Sequence, residues 1–254
     1  MLMFRCIKKE CYLIKKGWKM KLYKKALCIV SVGLLLSGTN LLAAEKSAKD
    51  VVKKVYAQMG SMDKYSFDAA VSDHDVVDGE TVTYNQNVFV KVERPGSVRI
   101  DNDGDIKNRS TYMNNGLFSM IDHEFGYYGQ LKTPKTIDGT LDFLFEKFGI
   151  RTPLSTLMYS DMGTRLKFKT SKYFGTVEVA GVECDYVAFK NNNKEIHIWI
   201  TTGDTPLVKT FSIINGDERI NTTLTWNTDP KFSDSDFIFK APKDATKISI
   251  NSAN

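Results

Sequence analysis

The chain has 254 residues, 35 Lys+Arg against 30 Asp+Glu, and a formal net charge of +5. Nine of those cations and a single acid, Glu10, fall within residues 1–44, so residues 45–254 carry a net charge of −3 and no Lys/Arg run. That excludes a nucleic-acid binder, which needs clustered cations against phosphates; the 210 residues left suit one domain able to bury about 70% of its unfolded surface.

Residues 1–44 have the order of a secretory leader. Lys21, Lys24 and Lys25 form a basic segment, Ala26 to Leu36 an uncharged apolar run, and small residues at Ala43 and Ala44 precede Glu45. That succession predicts export and cleavage after Ala43 or Ala44, with an uncleaved anchor as the alternative. The apolar run is shorter than the roughly 20 residues a bilayer span requires, so no transmembrane anchor is expected after cleavage. Residues 1–19 hold six basic residues outside this pattern. Either translation starts at Met20, or the leader has a long basic front. Cys6, Cys11 and Cys28 leave with the leader, and no Cys at the junction offers an acylation site. Cys184 then stands alone and has no intramolecular disulfide partner.

Ser47 to Met59 predicts a helix: Ser47 and Asp50 have capping-box spacing, and Val51, Val52, Val55, Tyr56 and Met59 share one stripe. Alternating strands follow at Phe67–Val71, Val82–Val92 and Val98–Ile100, which implies one buried and one wet face. Asp78-Gly79, Asp103-Gly104, Asn115-Gly116 and Asn215-Gly216 suit hairpin turns. The period then changes. Leu141, Leu144, Phe145 and Phe148 are spaced as one helical face that ends at Gly149. Thr152 and Pro153 suit the start of a second short helix with Leu154, Leu157 and Met158 on its stripe. Beyond residue 164 alternation returns at Leu166/Phe168, at Val182, Cys184, Tyr186 and Ala188, at Ile196, Ile198 and Ile200, and at Ile220, Thr222, Leu224 and Trp226. Phe237–Phe239 forms a last short strand. The whole predicts a mainly β (α+β) domain over residues 45–254. Its curled antiparallel sheet, or incomplete β-barrel, has about ten strands and is plugged on its concave side by amphipathic helices.

Several stretches together resemble a known family. They are Arg94-Pro95-Gly96-Ser97-Val98-Arg99-Ile100-Asp101, Tyr112 to Tyr128, and Thr136-Ile137-Asp138 to Asp161, above all Leu141-Asp142 through Phe148-Gly149-Ile150, Pro153-Leu154 and Tyr159-Ser160-Asp161. The chain resembles the predicted periplasmic proteins of domain of unknown function 2092. More remotely its plan is similar to the lipoprotein-carrier fold of LolA and LolB: a leading helix, an Arg-Pro-Gly-like turn into a strand, helices plugging a half-barrel, and Phe237-Ile238-Phe239-Lys240-Ala241-Pro242 near the end. The resemblance implies a periplasmic location and an apolar cavity for acyl chains. Arg99 stands nearest to the carriers' functional arginine, and no residue matches it securely.

The candidate ligand-binding residues are Leu141, Leu144, Phe145, Phe148, Leu154, Leu157 and Met158. They read either as plain packing of helix on sheet or as the lining of an apolar cavity. Asp101, Asn102, Asp103 and Asp105 mimic a calcium loop, but Gly falls at position four and Tyr112 at position twelve, so an acidic turn is expected there. His74, His123 and His197 share no metal-ligand spacing, and no nucleophile or phosphate-loop motif occurs. No metal, cofactor or catalytic residue is expected. Phe89 and Trp199 point away from the main apolar face, as surface aromatics or as a partner patch. Tyr112, Tyr127 and Tyr128 suit ligand stacking or plain strand preference. Three functions remain in order: a non-catalytic binder of a lipid, lipoprotein acyl chain or other apolar small molecule; an envelope protein-interaction or sensor module whose core is self-filled; and, last, an enzyme.

Overall fold

A computed structural model describes residues 46–252; the expected leader, the Met20 start and the cleavage point lie outside the described residues. Helix α1 runs Ala48–Ser61, its first turn tied by the Asp50 N–H donating to Ser47 Oγ at 3.3 Å. Val51, Val52, Val55, Tyr56 and Met59 are all buried beneath it. Each such side chain contributes about 1.5–3 kcal/mol relative to exposure. They have one surface to rest on, the concave face of the sheet.

That sheet has twelve strands. β1 (Lys64–Val77), β2 (Glu80–Glu93), β3 (Ser97–Gly104), β4 (Asn108–Asn114), β5 (Leu117–Asp122) and β6 (Tyr127–Lys132) precede the middle helices. β7 (Thr170–Val179), β8 (Val182–Asn191), β9 (Lys194–Thr201), β10 (Val208–Asn215), β11 (Glu218–Asn227) and β12 (Thr246–Lys247) follow them. The order across the sheet is β12-β6-β5-β4-β3-β2-β1-β11-β10-β9-β8-β7. Every pairing is antiparallel except the two-residue β12 against β6. Two meanders therefore join at their middle through β1 and β11. One cross-strand row, Tyr65–Val92–Val98–Met113–Phe118, is buried along its whole length and forms the concave face on the first meander.

Helix α2 covers Ile137–Phe148, one turn earlier than its stripe indicates, because Thr136 caps it through the Gly139 N–H. Gly149, at φ 65°, ends it in the left-handed conformation as expected. The second short helix does not form over residues 153–158. Leu154 adopts φ 54°, and only a 3-10 turn at Ser155–Leu157 survives, followed by the four-residue α3 at Met162–Arg165. A left-handed residue directly after Pro153 cannot lie inside a right-handed helix.

Other expectations shift for local reasons. Asp78-Gly79 and Asn115-Gly116 take positive φ at both residues and make tight hairpins. Asp103-Gly104 instead stays within β3, where a Cβ on Gly104 would strike Gln86 and Asn85. In β8 the concave parity is Asp185, Val187 and Phe189, opposite to the Cys184/Tyr186/Ala188 alternation. β10 escapes alternation because a register shift between Val208 and Thr210 flips its phase. Leu166–Phe168 is unpaired chain crossing the concave side.

Phe237–Phe239 is not a strand. Ser233 and Asp236 form a capping box that winds Asp234–Phe237 into a 3-10 turn, and this C-terminal strap lies on the convex face. Phe237 is buried there, Phe239 packs on Tyr112 and Tyr128 with centroids 5.5 and 5.3 Å away, and Lys91 Nζ donates to Asp236 Oδ1 at 2.6 Å. The lysine, with the Ser233 N–H, holds the Asp236 carboxyl down at about 2, against an ordinary 3.8. A depressed carboxylate pKa adds stability that is full above the unfolded pKa and is lost as pH falls through the folded one. Acidification from pH 5 to pH 2 is therefore expected to lower the amide protection factors, corrected for the intrinsic pH dependence of exchange, across residues 233–239 before those of β1–β3 respond. Lys91→Met should give the same pattern at neutral pH, read by hydrogen exchange with mass spectrometry.

Candidate functional site

The concave side of the second meander is incompletely filled. A hollow of about 100 Å³ lies between Ile196, Ile198, Phe211 and Ile213 on the sheet and Tyr56, Leu157, Leu166 and Phe168 above them. Lys194 is its one charged lining residue. At ~30 Å³ per water, that is room for about three waters, and the walls are too apolar to hold them well. Burial pushes the Tyr56 phenol up to about 12, which keeps it neutral across the physiological range. On the same face, Thr222, the ladder partner of Phe211, has a buried hydroxyl with no partner among the described residues.

The covering chain is held down by a polar knot. Tyr65 Oη donates to the Leu157 carbonyl at 2.8 Å. Arg94 Nη2 donates to the Met158 carbonyl at 2.9 Å, and Arg94 Nε to the Met62 carbonyl at 3.2 Å. The guanidinium also lies 6.0 Å from the Tyr65 ring centroid, and its Nη1 is 4.0 Å from Asp138 Oδ1. Asp138 in turn accepts from the Ser160 N–H and hydroxyl. One arginine thus ties the end of α1, the start of α2 and the 3-10 turn together. These carbonyls need the knot because the chain at 150–161 has little regular structure to satisfy them internally. Burial raises the Tyr65 phenol to about 12, although the Arg94 charge opposes the rise. A second clasp holds the start of α1: Lys46 Nζ lies 2.6 and 2.7 Å from the carboxylate oxygens of buried Asp185, which also accepts from Tyr173 Oη at 2.9 Å.

The seven stripe residues are divided among three places. Leu141, Leu144, Leu157 and Met158 are buried in the main core, and only Leu157 of the seven lines the hollow. Leu141 and Phe145, the latter 48% exposed, border a separate depression of about 230 Å³ with Ile150, Arg151 and Tyr159. Phe148 packs on Phe143, centroids 5.5 Å apart, and Leu154 lies against the core edge. Most of the hollow's lining comes from strands that also read as ordinary core. In the sequence Arg94 reads only as part of the Arg94-Pro95-Gly96 turn. Its signal was its place next to Pro95, at the end of a strand whose neighbours run under the helices. Arg99 faces the convex side, paired with Asp101 at 2.8 Å and 5.3 Å from the Tyr112 ring.

The remaining candidates lie elsewhere. His74, His123 and His197 bond Thr83, Ser110 and Tyr186 respectively, at separate positions. Among the described residues no three His, Cys, Asp or Glu side chains come close enough to hold a metal. Asp105 accepts from the Asn85 N–H, and Asp101 from Arg99 and the Ser110 hydroxyl. Trp199 is the end of a convex-face ring stack, 4.6 Å from Tyr186, which is 4.6 Å from Phe174.

The family model described as "Predicted periplasmic protein (DUF2092)" matches residues 48–251, and the chain belongs to that family. No curated protein matches it. Among solved structures it is similar to an uncharacterized conserved protein from Thermus thermophilus, at 9% identity and a TM-score of 0.49 over 80% of this chain and 99% of that one. It is also similar to lipoprotein LppX of Mycobacterium tuberculosis, at 12% and 0.43 over 72% and 97%. A LolA superfamily protein from Nitrosomonas europaea gives 6% and 0.35 over 76% and 98%.

The knot makes a direct prediction. Arg94→Met removes the donors while keeping the stem, leaving two interior carbonyls short of partners at about 1–3 kcal/mol each. Urea unfolding should show a loss of about 2–5 kcal/mol, with exchange rising first at residues 155–162. A loss below 0.5 kcal/mol would show that water satisfies those carbonyls equally well.

Proposed function

We propose that this periplasmic member of the family is a non-catalytic binder that takes an apolar ligand, such as a lipid or a lipoprotein acyl chain, into the concave hollow. The observation that carries this reading is an underfilled, almost wholly apolar space covered by chain that is fastened through a few hydrogen bonds rather than by continuous helix packing. As described, the hollow admits only a few methylenes. Loading therefore requires the Leu157–Phe168 cover to lift. A sixteen-carbon chain gains about 0.8 kcal/mol per methylene buried, ~12 kcal/mol in all. Lifting the cover breaks the Tyr65–Leu157, Arg94–Met158, Tyr159–Asp142 and Ser160–Asp138 bonds at about 1–3 kcal/mol each and re-exposes Leu157, Met158 and Met162 at a further ~1.5–3 kcal/mol each. Of the stripe, Leu157 would touch the ligand, while Leu141, Leu144 and Met158 would anchor the cover. Phe145, Phe148 and Leu154 would then border its outer edge.

The small size of the hollow favours a second reading: an interaction or sensor module whose core is filled by its own side chains. Titration with the neutral fluorophore N-phenyl-1-naphthylamine separates the two. The binder reading expects saturable micromolar binding, weakened at least tenfold by Ile213→Asp and by Ile213→Trp, which fills the hollow without adding charge. Absence of saturable binding, or binding indifferent to both substitutions in folded protein, would assign the self-filled core instead.

A further inference from the structure

The charge around the hollow is opposite in sign to that of the domain. Residues 162–177 carry Arg165, Lys167, Lys169 and Lys172 with no acid among them, in a domain of net charge −3. This stretch includes the crossing segment whose Leu166 and Phe168 wall the hollow. The same two side chains border a second depression of about 370 Å³, lined also by Lys49, Lys53 and Lys167 with Asp50 as its single acid. Lys194 stands in the first hollow. Lys169 Nζ donates to Asn192 Oδ1 at 2.5 Å and so ties the crossing segment to the β8–β9 hairpin, next to Lys194. Arg165 pairs with Asp142 and Asp161, and Lys190 with Glu195. Among the described residues, Lys49, Lys53, Lys167 and Lys194 have no carboxylate within 4.0 Å.

We infer that the ligand is an anionic amphiphile: its chain lies in the hollow, and its carboxylate or phosphate head rests at the rim against Lys194 and Lys167. This rests on the apolar-binder reading and adds the head-group charge to it. Four exposed ammonium groups beside an apolar cleft raise the local concentration of anions and disfavour cationic heads. Exposed lysines are strongly hydrated and act as point charges, so they select charge rather than head-group shape.

Competition against N-phenyl-1-naphthylamine on the protein purified from the periplasm tests it with probes of one chain length: palmitate and palmitoyl-lysophosphatidylglycerol, both anionic; hexadecanol, neutral; palmitoyl-lysophosphatidylcholine, zwitterionic. Both anionic probes are expected to bind at least tenfold tighter than the other two in 50 mM salt. The gap should narrow severalfold in 0.5 M salt. Lys167→Gln/Lys194→Gln should abolish the gap while leaving hexadecanol affinity unchanged. Palmitate ahead of the lysophospholipid would assign a free fatty acid, and the reverse order a phospholipid head. Equal affinity for all four probes would overturn the charge inference and leave the apolar reading standing. Failure of every probe to compete, hexadecanol included, would remove both.

Discussion

The domain depends on how Arg94 and Tyr65 hold the irregular chain at residues 150–161 against the sheet. A large antiparallel sheet with one apolar face has to cover that face. α1 covers part of it with a continuous helical stripe, but the 3-10 turn and its flanks offer carbonyls that no helix satisfies. Tyr65 and Arg94 supply donors to Leu157, Met158 and Met62 from the strand ends beneath. The cover is thus fastened at a few polar points over an apolar floor. Opening it breaks a set of directional bonds and re-exposes Leu157, Met158 and Met162.

The two faces of the sheet have different tasks. The convex face of the first meander is sealed by the C-terminal strap, with Phe237 buried and the Lys91–Asp236 pair at its edge. The concave face of the first meander is packed solid along the Tyr65–Phe118 row. On the second meander, under Leu166 and Phe168, packing leaves an almost wholly apolar space. Lys49, Lys53, Lys167 and Lys194 stand beside that space. Space, apolar lining and positive charge coincide at one place, although the core, the crossing segment and the β9 hairpin are far apart in sequence.

Much of the architecture was legible. Ser47 with the Val51–Met59 stripe announced α1, Gly149 the end of α2, and Asp78-Gly79 and Asn115-Gly116 their hairpins. Failures came where local pattern met a tertiary demand. The Leu154–Met158 spacing suggested a helix, but the turn at Leu154 bends the chain to bring the Leu157 carbonyl over Tyr65. Cys184 and Tyr186 alternate as well as Asp185 and Val187 do, and alternation cannot say which parity faces inward when a buried acid occupies one of them. Phe237-Ile238-Phe239 had strand composition, but the Ser233–Asp236 capping box wound its first residue into a turn. The candidate site was harder still. Its lining comes from α1, the 3-10 turn, an unpaired crossing segment, β9 and β10, and no spacing within one segment foretells that five segments leave a gap.

Native mass spectrometry of the protein taken from the periplasm of its own cells, with and without organic extraction, tests the central claim most directly. The account predicts a near-stoichiometric, lipid-sized adduct that extraction releases and that Ile213→Trp diminishes. A bare polypeptide mass under gentle conditions, for the unaltered protein and the variant alike, would contradict it and leave the hollow as an imperfection of the core.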